Sequence, residues 1–269
     1  MSSAVKTLEL LKFFSDAQPE IGLTQLCRMA KRDKATTHRH LQDLEKVGFV
    51  EQNMQTKDYR LGPAVLQLAQ TRENTVPRKA GAKNALHRLS DATGETAHVS
   101  VLSGTTLYTL DSMESPQHSI RVIIDLPTFP LHATASGLCV LAFGSPALLE
   151  TACENLEKFT EHTLLTKSEV QAAVEDTRKT GFGCANKTFE DEVYSLSVPL
   201  FDQTGAVAGA LSLASVASRF THEVGLNIRR NLMTGAREVT RNWGGSIPAS
   251  LEERWANALE NSTELEILS

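Results

Sequence analysis

Only four cysteines occur in 269 residues, and Cys27, Cys139, Cys153 and Cys184 stand apart, with no CxxC pair and no Cys/His cluster at ligand spacing. That scatter argues against a disulfide framework or a zinc module and leaves the thiols as small hydrophobes. No apolar run approaches the ~18–20 residues that a membrane-spanning helix requires. The opening Met1-Ser-Ser-Ala-Val-Lys lacks the apolar core of a signal peptide, because Lys12, Asp16 and Glu20 interrupt the pattern. A cytoplasmic protein is expected. Also missing are a glycine-rich phosphate loop, a Gly-x-Ser-x-Gly nucleophile elbow, internal repeats and low-complexity tracts. Neither a cofactor nor a metal site is expected.

What is present is ordinary in bulk and uneven in distribution. Hydrophobic content of 41% and charged content of 22% suit a soluble chain with room for a small and a medium domain. The net charge of −5 argues against a general nucleic-acid binder. Residues 1–79, however, carry 13 Lys/Arg against 9 Asp/Glu, or +4, which leaves −9 for the remainder. A basic head on an acidic body implies that only the head meets phosphate.

Periodicity divides the chain accordingly. Val5, Leu8, Leu11 and Phe14 recur at helical spacing over residues 3–16, with Ser3 as a cap. Thr24 reads as the N-cap of a short second helix. A third helix is expected over residues 35–47, with Leu41, Leu44 and Val47 inward and Gly48 as its stop. Two β-prone runs, residues 49–52 and 59–61, flank a polar turn and predict a hairpin. Pro63 fits the first turn of a further helix over residues 64–71, and periodicity lapses around residues 72–77. A long helix with Leu86 and Leu89 then runs to Gly94. Beyond it, strands are expected at 96–102, 106–111, 119–124, 195–201 and 206–214, and helices at 135–143, 168–180 and 222–243. The last stretch, 247–269, reads as an appendage with a short amphipathic segment.

Three short helices followed by a hairpin, with basic and hydroxyl residues gathered in the third helix, describe a winged helix-turn-helix. Lys34, Thr36, Thr37, His38, Arg39 and Gln42 occupy the start and outer face of that helix. Such a helix can enter the major groove with its first residues at base edges. Arg39 and Gln42 have the donor and acceptor geometry for base readout, whereas Lys34 and the threonine hydroxyls suit phosphate. Thr24, at a helix N-terminus, also suits phosphate, and Lys57 and Arg60 on the hairpin would reach backbone or minor groove. The bland alternative is a three-helix packing module with a solvated basic face.

Several strings sharpen this reading. Leu23-Thr-Gln-Leu-Cys-Arg-Met-Ala30, Lys34-Ala-Thr-Thr-His-Arg-His-Leu-Gln-Asp-Leu-Glu-Lys-Val-Gly-Phe-Val50 and Tyr59-Arg-Leu-Gly62 resemble the DNA-binding domain of the IclR family of regulators. Gly94-Glu-Thr-Ala-His-Val-Ser-Val-Leu102, Pro130-Leu-His-Ala-Thr-Ala-Ser-Gly137 and Val198-Pro-Leu-Phe-Asp202 resemble that family's effector domain. The resemblance implies an α+β chain: a winged helix-turn-helix (1–62), a linker helix and hinge (63–77), a GAF-like α/β effector-binding domain (78–245) and a C-terminal extension (246–269). It implies a homodimer, or a tetramer, on pseudo-palindromic double-stranded DNA, with a small-molecule effector. By position it assigns the effector pocket to Phe129, Ala135, Ser136, Val193, Ser195 and Ser212, and His132 joins the candidate set.

The departures bear on the ligand. Leu138 stands where the family usually has Lys, Ala185 and Asn186 where it has an acidic position and its neighbour, and Ser195 where it frequently has Cys. An acidic cluster, Glu190-Asp191-Glu192, precedes the strand that carries Ser195. It reads either as a solvated loop or as a pocket lip that disfavours multiply charged anions or contacts a cationic group of the ligand. The competing readings are a hydrolase-like enzyme built on His132 and Ser136, which no elbow motif accompanies, and a small-molecule-binding scaffold that does not bind DNA specifically.

Overall fold

A computed structural model describes residues 2–15 and 18–267, with side chains to residue 260. Asp16, at the end of the first expected helix, and the last two residues of the expected extension lie outside the described residues. The chain forms two units, Met1–Val76 and Pro77–Ser269.

The first unit contains α1 (Ser3–Glu9), a 3-10 turn (Leu10–Phe13), α2 (Leu23–Ala30), α3 (Lys34–Lys46), the antiparallel strands β1 (Val50–Gln52) and β2 (Tyr59–Leu61), and α4 (Pro63–Thr75). Its core joins Leu10, Phe14, Ile21, Leu26, Leu41, Leu44, Val50 and Tyr59. Side-chain caps explain two of the helix starts. Ser2 accepts a hydrogen bond from the Val5 amide, and Asp33 Oδ1 accepts one from the Thr36 amide at 2.8 Å.

Three expectations are corrected here. The first helix is α-helical only to Glu9 and buries none of its residues, so Val5 and Leu8 are exposed, and it is Leu10, at the start of the 3-10 turn, that is fully buried. The N-cap of α2 is Gly22, which leaves Thr24 inside the first turn. Val47 lies just past α3, with its backbone already out of helical geometry, and its side chain is 60% exposed. Gly48 then turns the chain with φ 76°, a value that glycine adopts without steric cost.

The second unit is built on a six-stranded antiparallel sheet in the order β5-β4-β3-β8-β7-β6. The strands are β3 (Thr96–Ser103), β4 (Thr106–Met113), β5 (Thr128–Phe129), β6 (Gly183–Asn186), β7 (Val193–Phe201) and β8 (Val207–Val216). Helices α5 (Arg78–Thr93) and α9 (His222–Asn242) belong to one core, in which Leu86, Leu89, Ile228 and Leu232 meet Val99, Leu196, Val198, Leu211 and Leu213. On the other side, α6 (Ala135–Phe143) packs with α8 (Lys167–Thr180) and the short α7 (Pro146–Ala152). Strand alternation thus serves two layers, with large aliphatics facing one way and small or polar residues the other.

Two further differences matter for function. Residues 119–124 form no strand; they run as irregular chain, and the carbonyl of Val122 accepts a hydrogen bond from Thr96 Oγ1 at 2.7 Å. The C-terminal stretch is no appendage. Helix α10 (Ala249–Ile267) buries Leu251 and Trp255 in the α5/α9 core, and Trp255 Nε1 donates to the Gly181 carbonyl at 2.9 Å.

Candidate functional site

The first unit presents a cationic face around the start of α3. Lys34, His38, Thr24 and Lys57 line one open cleft between α2, α3 and the hairpin, together with Gln25 and Arg28, which sequence reasoning left out. Lys34, Arg39, Gln42, Lys57 and Thr24 are exposed, and Thr36 is partly so. Among the described residues, Arg28, Lys34, Arg39 and Lys57 form no ion pair, so their charge is available to an incoming anion. Hydrogen bonds from the Thr36 backbone hold the Asp33 carboxyl below its usual range, so the cap stays ionised.

Two members of the expected set do not belong to this face. Thr37 is fully buried, and its hydroxyl donates to the Asp33 carbonyl at 2.9 Å. Arg60 is held by Glu51 at 2.6 Å and by Glu20 at 3.4 Å, so its charge is already matched. His40, next to Arg39, is buried instead. Its Nδ1 lies 2.6 Å from the Thr7 hydroxyl and ties α1 to α3, while burial and the nearby Arg39 lower its pKa.

The second unit encloses a cavity at the N-terminal end of α6. Its floor is one row of small residues across three strands, where Ala185 pairs with Ser195 and Ser195 with Ala214. Ala133, Ala135 and Ser136 form a second wall, and Val122, Ile123, Ile124 and Leu126 close it from above. The void arises because small side chains on the sheet face the small residues that begin α6. The interior is narrow, about 50 Å³, and it opens to solvent through its mouth.

Local chemistry keeps the helix start open. Thr134 Oγ1 accepts from the Gly137 amide at 3.1 Å and donates to the Pro130 carbonyl at 2.8 Å, so Thr134 caps the helix. Gly137 is required by proximity, since a Cβ there would collide with the Leu131 backbone. The first-turn amides of α6 point toward the cavity end of the helix, where the dipole favours an anion. The Glu190 turn is fastened to the same loop by Thr188, whose hydroxyl donates to the Ala133 carbonyl at 2.7 Å.

Of the expected pocket residues, Phe129, Ala135, Ser136, Val193 and Ser195 line this cavity. His132 and Ser212 do not. His132 faces a neighbouring open cavity behind Phe129, with Nε2 2.9 Å from the Glu157 carbonyl, and so cannot serve Ser136 as a base. Ser212 is fully buried and donates to Ser197 Oγ at 2.8 Å. Within the acidic cluster, Glu190 lines the cavity, whereas Asp191 and Glu192 do not. Burial and the neighbouring Asp125 raise the Glu190 pKa.

Among the lining residues that were not assigned to the pocket from sequence are His98 and Phe189. His98 sits on β3 with 4% exposure, and its Nδ1 has no hydrogen-bond partner. Burial pushes its pKa down to about 4, so the ring is neutral at pH 7. No sequence signal marked it beyond its place between two buried strand residues. Cys139, on α6, is structural: its thiol donates to the Ser197 carbonyl at 3.1 Å, and burial pushes its pKa up to about 12. Among the described residues, no cluster of His, Cys, Asp and Glu could hold a metal, and no helix is long and apolar enough to cross a membrane.

A cationic helix-turn-helix with a hairpin, on one chain with a sheet domain that encloses a small cavity, defines a ligand-responsive DNA-binding regulator. Residues 3–53 match the model of the IclR helix-turn-helix domain, and residues 75–241 match that of the bacterial transcriptional regulator IclR C-terminal domain. The chain belongs to the IclR family of transcription regulators. It is 26% identical over 246 residues to the HTH-type transcriptional regulator XynR of Escherichia coli, covering 91% of this chain and 98% of that protein. The glycerol operon regulatory protein of Streptomyces coelicolor is 24% identical over 245 residues, covering 90% and 96%. A crystal structure of an IclR transcriptional regulator from Silicibacter sp. TM1040 superposes with a TM-score of 0.86 at 36% identity, covering 93% and 99%. An IclR homologue from Microbacterium hydrocarbonoxydans, solved with 4-hydroxybenzoate, shares the fold with a TM-score of 0.74 at 19% identity, covering 90% and 99%. The chain is therefore a transcription regulator with an N-terminal DNA-binding and a C-terminal effector-binding domain.

Proposed function

We propose that this regulator binds a pseudo-palindromic operator as a homodimer or tetramer, and that a small organic acid in the α6 cavity controls that binding. The observation that carries the effector reading is the narrow, open-mouthed cavity bounded by the α6 N-terminus, Ser136, Ser195 and apolar walls. One acidic ligand group suits this helix start, and the apolar walls suit a small aliphatic or aromatic body once the narrow interior widens around it. The relative solved with 4-hydroxybenzoate makes an aromatic acid a reasonable first probe.

On the DNA side, Lys34, Thr36, His38, Arg39, Gln42, Thr24 and Lys57 are the proposed contacts, with Arg39 and Gln42 at base edges and the others on phosphate. Residues 1–62 act as the DNA-binding domain, 63–77 as linker and hinge, and 78–245 as the sensor. Exposed Val5, Leu8, Leu66 and Leu68 on α1 and α4 support self-association of the first unit. A regulator working in the cytoplasm, without catalysis of its own, accounts for these features.

Footprinting on DNA upstream of its own gene, at low and near-physiological salt, tests the reading. A protected two-fold symmetric site that survives the higher salt is expected. Protection that vanishes with salt and covers nothing discrete would reduce the binding to phosphate attraction.

A further inference from the structure

The cavity contains a polar group that the fold itself does not use. His98 is 4% exposed, its Nδ1 is unpartnered, and its ring lies 5.0 Å from that of Phe129. Buried ring nitrogens without partners are costly and uncommon, so one that lines a cavity invites a ligand atom. Strand register explains its position: His98 pairs with Ser212 on β8, two residues along the strands from the Thr96–Ala214 pair and so on the same face of the sheet as Ala214.

The charge around it is unusual for a site that receives acids. No lysine or arginine lines the cavity. The imidazole is neutral at pH 7, because burial lowers its pKa to about 4. The carboxylate present, Glu190, has Asp125 nearby and forms no ion pair among the described residues. The α6 N-terminus provides roughly half a positive charge, enough for one carboxylate. A second would enter a buried site with no cation to receive it and a carboxylate at its rim.

We propose that His98 is the specificity-determining residue of this cavity, hydrogen-bonding an uncharged hydroxyl on a ligand that carries no more than one carboxylate. A hydroxyl is the matching group because it can donate or accept, and so satisfies Nδ1 in either imidazole tautomer. The inference rests on the cavity being the effector site.

Two matched acid series test it on the full-length protein by calorimetry: benzoate, 4-hydroxybenzoate, 4-(aminomethyl)benzoate and terephthalate, and pentanoate, 5-hydroxypentanoate, 5-aminopentanoate and glutarate. In the series that binds, the hydroxy acid should exceed the plain acid by about tenfold, the worth of one buried hydrogen bond. The dicarboxylate should bind weakest. His98→Phe, which retains the packing against Phe129, should erase the preference for the hydroxyl and leave the plain acid unchanged. His98→Asn, which keeps a polar atom near the Nδ1 position, should restore part of it.

A dicarboxylate that binds best would overturn the proposal, as would no binding by any of the eight acids. A leading amino acid would place the polar end of the ligand at Glu190 and overturn it too. Equal weakening of plain and hydroxy acids in His98→Phe would make His98 a packing residue only. Ser136→Trp separates this failure from that of the cavity reading. Binding that persists in Ser136→Trp lies outside the cavity, whereas binding lost there with the wrong selectivity refutes only the role of His98.

Discussion

Helices α3 and α6 begin alike and end up in opposite surroundings. Each is capped by a side chain on the preceding residue, Asp33 for α3 and Thr134 for α6. Each therefore presents first-turn amides with a partial positive charge. Helix α3 sets them on a surface beside unpaired Lys34, Arg39 and Arg28, where many phosphates can be met at once. Helix α6 is buried along eight of its nine residues and sets them in a narrow void with no cation. In the function proposed above, the same element thus serves a polyanion outside and a single small anion inside. What differs is the number of charges that the surroundings supply.

Filling the void breaks the comparison most completely. Ser136→Trp should abolish every effector-induced change in operator binding while DNA affinity without effector stays within about twofold, since the two sites belong to separate units. Electrophoretic mobility shifts with and without ligand measure both quantities.

Opening the roof comes next. Arg219 donates to the Ile120 carbonyl at 2.9 Å and pairs at 3.0 Å with Glu95, whose side chain is 4% exposed. Arg219→Ala strands that carboxylate and frees the segment above the cavity, so a loss of about 3 kcal/mol is expected in urea unfolding. An unchanged midpoint would mean that Glu95 finds water.

Acidification should weaken both units. His98 and His40 have folded pKa values below the ordinary 6.5, so the unfolded chain binds more protons than the native one as pH falls. Stability present above pH 6.5 is lost toward pH 4. For His98, a fall from 6.5 to about 4 corresponds to about 3 kcal/mol. Melting curves across that range check the sign, and the His98→Phe variant should flatten the slope.

On the DNA side, Arg39→Ala should cost about 1–3 kcal/mol and relax preference at one base pair. An equal loss on every sequence would move Arg39 to phosphate. The smallest effect belongs to the cap. Asp33→Ala should destabilise the first unit by about 1 kcal/mol, read by chemical denaturation. It should also weaken operator binding through loss of order at the start of α3.

Much of this was legible in the sequence because it depends on local chemistry. The helix over Lys34–Lys46 and the hairpin of Val50 and Tyr59 follow from caps, turn residues and periodicity, whereas the loop leading to Ser136 was read from the resemblance to the family. What was missed depends on contacts distant in sequence. Thr37 reads as an outward hydroxyl until Asp33 claims it, and Val47 reads as inward until the helix ends one residue before it. Val122, Ile123 and Ile124 have the composition of a strand, yet they roof a cavity instead of pairing. The partner of Trp255 lies 74 residues away at Gly181, so nothing nearby announced that the C-terminal helix joins the core. His98 was invisible for a simpler reason: its significance is a missing partner, which only a three-dimensional structure reveals.

The small-residue row beneath the cavity has an evolutionary corollary. Ala185, Ser195 and Ala214 face the void, while their strand neighbours Leu196 and Leu213 face the opposite core. Exchanging one member of the row, as Ser195→Val or Ala214→Ser, reshapes the floor of the cavity without disturbing the aliphatic layer behind it. A lineage could therefore retune what it senses one residue at a time, with folding and ligand preference inherited on alternate positions of the same strands.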